Sequence, residues 1–301
     1  MTNLGGTITL APDLTIHRVG YGAMQLPGAH VWGPPRDRDE ALAVLRAAVE
    51  AGIDHIDTAD FYGRHVSNDL IREALHPYGD ALHIVTKVGA ERDDEGGWVF
   101  ARTPDDLKTQ VESNLSHLGL EALDVVNLRM GTPEGVHEES IADRLGALVE
   151  LQQQGKIKHL GLSMVTDAQL TEALAITPIV TVQQFYNLVV REDERMLRRT
   201  AELGIAYVPF FPLGGFTPLQ SGVLASVATR LGATPQQVAL AWLLQRSANV
   251  ALIPGTSSRA HLTENIAAAG IELDADAVAE LDAIESVSLS DAAEAAQAAR
   301  G

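Results

Sequence analysis

The feature that most restricts how this chain can fold is a rhythm. Short β-branched or apolar runs ("RVGYGAM", "IDHID", "HIVTKV", "LDVVNL", "IKHLGLS", "IVTVQQ", "IAYVPF" and "NVALIP") alternate with segments of helical period. Apolar runs of this length, separated by amphipathic helices, are what parallel strands covered on their outer face by helices require. Several helix starts carry a hydroxyl able to accept from unpaired N–H groups: Ser67 before "NDLIREAL", Thr103 with Pro104, and Thr234 with Pro235. Gly52, Gly119, Gly155 and Gly204 stand where helices end and a left-handed residue is wanted. Ahead of the repeat, "TITL" and "TIHRV" flank the turn "APD", which predicts a hairpin placed to plug the bottom of a barrel. Eight βα units in succession predict an α/β fold, a TIM-type (β/α)8 barrel, formed as a single domain over residues 1–301, with a doubly wound sheet as the alternative. No linker divides the chain. The loop 210–222 is its one irregular insertion, "DADAVAELDAIESV" predicts an extra helix, and the Ala-rich "SDAAEAAQAARG" a helical or frayed extension.

Charge and composition exclude several functions. With 22 Lys and Arg against 40 Asp and Glu, the formal charge of −18 repels phosphate backbones and anionic lipid, so neither nucleic acid nor a membrane is an expected partner. There is no cysteine, which removes disulfides, thiolate nucleophiles and Cys-ligated metals. The start "MTNLGGTITLAPDL" has no basic segment leading an apolar core, and no run reaches the ~20 apolar residues of a spanning helix, so a cytoplasmic enzyme is expected. The histidines form no HExxH set, "GVHEES" reads as a solvated loop, and no GxSxG elbow is present.

In a barrel, chemistry sits where the strands finish. The polar residues there are Asp57 with the nearby Tyr62, Lys87, Arg129, Ser163 and Gln183. Taken singly each has a plain structural reading, as a loop cap, packing ring or ion-pair partner. Together they make a chemical unit. A free tyrosine titrates near pH ~10, and an adjacent ammonium lowers that value. Lys87 is placed to be the ammonium, Asp57 to hold it charged, and Tyr62 to act as general acid. Arg129 closes the apolar run "LDVVNLR", and a guanidinium there needs an anion or a ligand to offset its desolvation.

"HIDTADFYG", the lysine of "IVTKVG", "GKIKHLGLS", "VQQFYN", "PFFPLGG" and "IPGTSSRAHLTENI" resemble, in order, the motifs of the aldo-keto reductase family. The resemblance implies a TIM barrel that binds NADPH in an extended pose and reduces a small-molecule carbonyl by direct hydride transfer. The family's catalytic Asp, Tyr and Lys fall on Asp57, Tyr62 and Lys87, and its fourth residue, a histidine, on Arg129. An arginine cannot serve as a neutral imidazole, but its donors suit a carbonyl oxygen or an anionic substituent. The plainer alternative is a salt bridge from Arg129 to Asp57 or another strand-end carboxylate.

The same resemblance implies the cofactor residues. Gln183 and Ser163 would bond the nicotinamide carboxamide and Phe210 would stack on its ring, while Met164 stands where the family carries Asn. Phe211, Pro212, Leu213 and Gly214 open a glycine-containing loop able to fold over a pyrophosphate, and Met24 and Gln25 would line the channel. "GYGAMQ" lacks the third glycine of a Rossmann fingerprint. Gly255, Thr256, Ser257, Ser258 and Arg259 begin a helix, an anion site suited to the 2′-phosphate. Glu264 and Asn265 would reach the adenine. Many members carry Lys and Arg where this chain has Gly255 and His261, so preference for NADPH leans on Arg259 and the hydroxyls. The plainer alternative is a Ser-capped helix.

Within the family, "GYGAMQLPG", "VWGPPRDRDEA", "LDVVNLRMG" and "AYVPFFPLGGFTPLQSG" resemble the bacterial pyridoxal reductase branch. Trp32, Phe61 and Trp98, on loops after strands one to three, would form a wall for a flat heterocycle, with rim packing as the alternative. A general aldehyde or quinone reductase would share all these residues. A non-enzymatic NADPH-sensing protein would need neither Tyr62 nor Lys87. The oligomeric state is open.

Overall fold

The computed structural model describes residues 2–101, 103–131, 135, 137–214 and 221–292. In chain order its elements are β1 (Thr7–Ala11), β2 (Leu14–His17), β3 (Tyr21–Gly22), α1 (Arg38–Glu50), β4 (His55–Asp57), α2 (Val66–Leu75), β5 (His83–Val88), β6 (Ala90–Arg92), β7 (Trp98–Phe100) and α3 (Pro104–Leu118). There follow β8 (Leu123–Arg129), α4 (Ala142–Gln153), β9 (Ile157–Ser163), α5 (Asp167–Ile176), β10 (Thr181–Phe185), α6 (Glu194–Glu202), β11 (Ala206–Phe210), α7 (Gly222–Leu231), α8 (Pro235–Arg246), α9 (Arg259–Ala267) and α10 (Ala275–Asp282).

Seven of the strands form one sheet in the order β11-β10-β9-β8-β5-β4-β3, and every pairing in it is parallel. The segment 250–255 closes it. Tyr207 bridges Val250 on one side, while Val19 bridges Leu252 and Gly22 bridges Gly255 on the other. The chain is therefore a TIM barrel whose eighth stave is held by short bridges rather than a full ladder. The helices pack outside it over a large apolar core that includes Ile56, Ile84, Leu128, Leu160 and Trp242.

Local chemistry explains most element boundaries. Thr103 and Thr234 make full capping boxes with Asp106 and Gln237, each followed by Pro at the first helical position. Gly52, Gly119, Gly155 and Gly204 hold positive φ of 97°, 68°, 79° and 69° just past their helices. Ser67 is a correction: α2 starts earlier, from His65 at φ 77°, and the Ser67 hydroxyl is buried, donating to the Ala23 carbonyl at 2.9 Å. The turn through Gly63, Arg64 and His65, all at positive φ, leads into the helix in place of a hydroxyl cap.

The predicted hairpin is β1–β2, paired antiparallel with Thr7 opposite His17. Its Leu14 and Ile16 pack with Val85, Val125, Val180, Val208 and Ala251, the inward residues of the strands, and so stopper the barrel. A second hairpin, β6–β7, was not foreseen and sits immediately after β5. Inside the barrel, Asn127 of β8 and Thr181 of β10 meet at 2.7 Å across β9 because the residue between them is Gly161. The extra helix over "DADAVAELDAIESV" is α10, whereas the Ala-rich tail beyond 292 and residues 215–220 of the loop lie outside the described residues.

Closure is tightest at Gly22, where an added Cβ would come within 2.4 Å of the Ile253 carbonyl oxygen. Gly22→Ala must push the first and eighth staves apart, and overpacking of this kind costs about 1–3 kcal/mol. A lower urea midpoint at unchanged slope is expected, and an unchanged midpoint would show that the closing bridges contribute little.

Candidate active site

The parallel register delivers the strand-end residues to one rim. Asp57 lies opposite Val85 on the neighbouring strand, which sets Lys87 two residues further toward the carboxyl end, and Arg129 and Gln183 both pair in register with Ser163. Lys87 Nζ donates to Asp57 Oδ1 at 2.5 Å and to the Thr58 carbonyl at 2.9 Å. The second carboxylate oxygen accepts from Gln183 Nε2, also at 2.5 Å. Asp57, Lys87 and Gln183 are 1–3% exposed, and the two charges are paired with each other and further hydrogen-bonded, the condition under which a buried ion pair is tolerated.

Tyr62 sits on the loop after β4, 6% exposed, with the Lys87 ammonium 5.0 Å from its ring centroid. Burial raises its pKa; Lys87 and Arg129 pull it down, Asp57 adds to the rise, and the net direction is upward. The ammonium acts in the expected direction, but removing the phenolate from water outweighs the neighbouring cations and the net shift is upward. For Lys87, burial acts to lower the pKa, yet the charge of Asp57 and the Tyr62 hydroxyl carry it above its usual value. At neutral pH the pair is a protonated phenol beside a charged ammonium.

These groups open into a cavity of about 270 Å³, lined by Asp57, Tyr62, Lys87, Arg129 and Ser163 together with Met24, Gln25, Trp98, Phe210, Phe211, Pro212, Leu213 and Gly255. Residues of β4, β5, β7, β8, β9 and β11, and of the four loop segments that carry Met24 and Gln25, Tyr62, 211–213 and Gly255, thus line one cavity. Gly22, Ala90, Val99, Phe100, Ile253 and Pro254 also line it and were missed. Three of these belong to β6–β7, whose signal was present: "DDEGG" is a turn cluster between two short runs.

Two polar atoms in this region are buried without a hydrogen-bond partner among the described residues, Ser163 Oγ and Gln183 Oε1. Orphaned groups of this kind mark places where a ligand completes the bonding. Phe210 faces the cavity and packs against Phe185 at 5.5 Å and Phe211 at 5.2 Å between centroids. Met164 is buried with Phe185 and Val190, and its φ of 53° is a conformation that suits asparagine better than methionine.

Arg129 is half-buried on the rim, its Nε donating to the Gly131 carbonyl at 3.0 Å. Of the expected alternative, a bridge from Arg129 to Asp57 or another strand-end carboxylate, the Asp57 form is not found: the Asp57 oxygens accept from Lys87 and Gln183. Of the three expected aromatics, Trp98 faces the cavity and lies on β7 rather than on a loop. Phe61 is buried, 5.3 Å from Tyr62 and 5.5 Å from Trp98. Trp32 is bridged to Trp98 by the Arg92 guanidinium, which lies 5.3 Å from one ring and 4.2 Å from the other. Phe61 and Trp32 therefore brace the wall from behind.

At the far end, α9 begins at Arg259 after Ser258. The Thr256 hydroxyl accepts from Ser258 N at 3.1 Å, and Arg259 is paired with Glu40 of α1. Ser257 lines an adjoining groove with Met24 and Gln25. On α9, Asn265 is buried and Glu264 exposed, while Gly214 is the last described residue of its loop. Among the described residues no cluster of His, Asp and Glu suits a metal ion, and no helix is long and apolar enough to cross a membrane.

Comparison with known proteins follows the same lines. The chain is 57% identical over 280 residues to pyridoxine 4-dehydrogenase of Escherichia coli, covering 92% of this chain and 98% of that protein. A thermostable aldo-keto reductase, Tm1743, solved with the inhibitor epalrestat, superposes with a TM-score of 0.76 at 29% identity, covering 90% and 96% of the two chains. An aldo/keto reductase from Klebsiella pneumoniae solved with NADP and acetate shares the fold, with a TM-score of 0.74 at 23% identity and coverage of 92% and 94%. The family model for aldo/keto reductases matches residues 18–286, and the chain belongs to that family of oxidoreductases.

Proposed function

We propose that this protein reduces pyridoxal to pyridoxine with NADPH, with Tyr62 as the proton donor. The observation that carries the chemistry is the buried Asp57–Lys87 pair beside a protonated Tyr62 at the wall of the cavity. The 57% identity to a pyridoxine 4-dehydrogenase supports the choice of substrate. The NADP held by the structurally similar Klebsiella protein supports the choice of cofactor.

The residues fit a nicotinamide cofactor. Ser163 Oγ and Gln183 Oε1 offer unpartnered polar atoms for a carboxamide, and Phe210 offers a ring face. NADPH, when bound, supplies the hydride that reduces the carbonyl carbon. Tyr62 donates its proton to the oxygen as it becomes an alkoxide, and the Lys87 ammonium stabilises the phenolate left behind. Asp57 keeps Lys87 charged and aimed, and Gln183 fixes Asp57. Arg129 binds the ionisable 3-hydroxyl beside the aldehyde of pyridoxal, a contact that a guanidinium makes as a permanent cation. Trp98 provides the apolar face against which the flat ring rests.

Three outcomes are expected. Purified protein consumes NADPH fastest with pyridoxal in a panel that includes pyridoxal phosphate, simple aldehydes and a quinone, and Tyr62→Phe lowers kcat by about 10²–10⁴-fold while NADPH still quenches protein fluorescence. Equal rates across the panel would instead assign a general aldehyde or quinone reductase, and tight NADPH binding without turnover a sensing protein. Arg129→His raises the KM for pyridoxal by about tenfold and leaves a benzaldehyde lacking the hydroxyl unaffected; equal effects on both would remove Arg129 from substrate recognition. Because the pKa of Tyr62 is raised, the acid form persists through neutral pH, so kcat for reduction stays flat up to about pH 9 and falls only above the usual tyrosine value of about 10. The reverse oxidation, which needs the phenolate as base, rises over the same alkaline range. A Tyr62-dependent inflection near pH ~7 in the reductive direction would contradict this.

A further inference from the structure

The helix start at residues 255–259, which the family resemblance implies as the 2′-phosphate site, already holds an anion supplied by the protein. Glu40 stands in the first turn of α1, and its carboxylate reaches across to the start of α9. Its Oε1 accepts from the Arg259 backbone N–H at 3.0 Å and from Arg259 Nε at 3.2 Å, while Oε2 accepts from Nε at 3.0 Å and pairs with Nη2 at 2.9 Å. One carboxylate thereby takes both the first helical N–H and the guanidinium, the two kinds of donor that a phosphate uses at a helix start. Ser258 makes no side-chain cap to α9, so the negative charge that complements this helix start comes from α1. The nearby Thr256 hydroxyl is occupied by Ser258 N.

We propose that Glu40 is a specificity-determining residue: its carboxylate competes with the adenosine 2′-phosphate for Arg259 and the start of α9, and so weakens selection of NADPH over NADH. The inference rests on the reading that residues 255–259 hold that phosphate. The competition is electrostatic as well as geometric. Arg259 holds the Glu40 carboxyl below the usual carboxylate range, so Glu40 is charged at neutral pH. The phosphate must then either displace it or sit beside a like charge, in a chain whose net charge is already −18. Gly255 is uncharged and His261 is not a permanent cation, so within residues 255–261 Arg259 carries the permanent positive charge for which the two anions contend.

The test uses two adenosine fragments that differ only by the phosphate in question, 2′,5′-ADP and 5′-AMP, titrated by calorimetry into the full-length wild type, Glu40→Gln, Glu40→Ala, Arg259→Ala and Glu73→Gln. The last variant removes the same charge from the neighbouring Arg38–Glu73 pair, away from α9, and controls for the general field. Both Glu40 variants are expected to bind 2′,5′-ADP at least about threefold tighter, with 5′-AMP unchanged and Glu73→Gln indistinguishable from wild type. A Glu40 that merely braces α1 against α9 would change the Tm and leave the ratio of the two affinities alone, which overturns the proposal. Equal tightening in Glu73→Gln also overturns it, as an effect of net charge. If wild type and both Glu40 variants bind 2′,5′-ADP no better than 5′-AMP, the phosphate site itself is wrong and the inference falls with it. Discrimination that is lost in Arg259→Ala but unchanged by Glu40→Gln retains the site and rejects only the competition.

Discussion

The buried ion pair between Asp57 and Lys87 is the constraint around which the rest of the site is arranged. Neither charge is solvated, and each depends on the other together with Gln183 and the Thr58 carbonyl. Removing one partner of such a pair strands a charge in low dielectric at a cost of about 3–5 kcal/mol. The fold accepts that liability because strands β4, β5 and β10 are held rigidly by the packed helices outside and the stoppered core below. The three side chains meet without a loop having to order around them.

That rigidity has a chemical consequence at Tyr62. Its ring lies where burial opposes ionisation and the ammonium favours it, and burial wins in the protein alone. A phenol poised in this way keeps its proton until a negative charge develops beside it, at which point the fixed ammonium is already in position. Electrostatic preorganisation therefore comes from the strand register, while the cavity's outer wall comes from an appended hairpin, β6–β7, that the barrel itself does not need. The division places the buried ion pair on strands, and Tyr62 and the outer wall on the connections that follow them.

Much of this was legible in the residues. The βα rhythm, the capping threonines, the glycine stops and the plugging hairpin are local signals, and each corresponds to an observed element. Ser67 misled because a hydroxyl two residues beyond a left-handed turn looks like a cap, although its hydrogen bond goes to the distant Ala23 carbonyl. The β6–β7 hairpin escaped notice because its runs are too short to be distinguished from a polar loop by periodicity. Trp32, Phe61 and Trp98 lie close together, through a Phe61–Trp98 ring contact and the Arg92 guanidinium between the two tryptophans, and of the three only Trp98 lines the cavity, since packing decides which ring faces inward.

By itself, the order of residue types determined the eightfold fold, the placing of Asp57, Lys87, Arg129, Ser163 and Gln183 on the barrel strands, and the net charge of −18, because periodicity, capping and net charge are properties of neighbours along the chain. Only the tertiary structure decided which partner each charge takes. Gln183 clamps Asp57 and Glu40 covers Arg259 across separations of 126 and 219 residues, and the direction of the Tyr62 shift follows from how deeply its ring is buried. Desolvation and ion pairing depend on distances in space, and the sequence expresses those only after the barrel has closed.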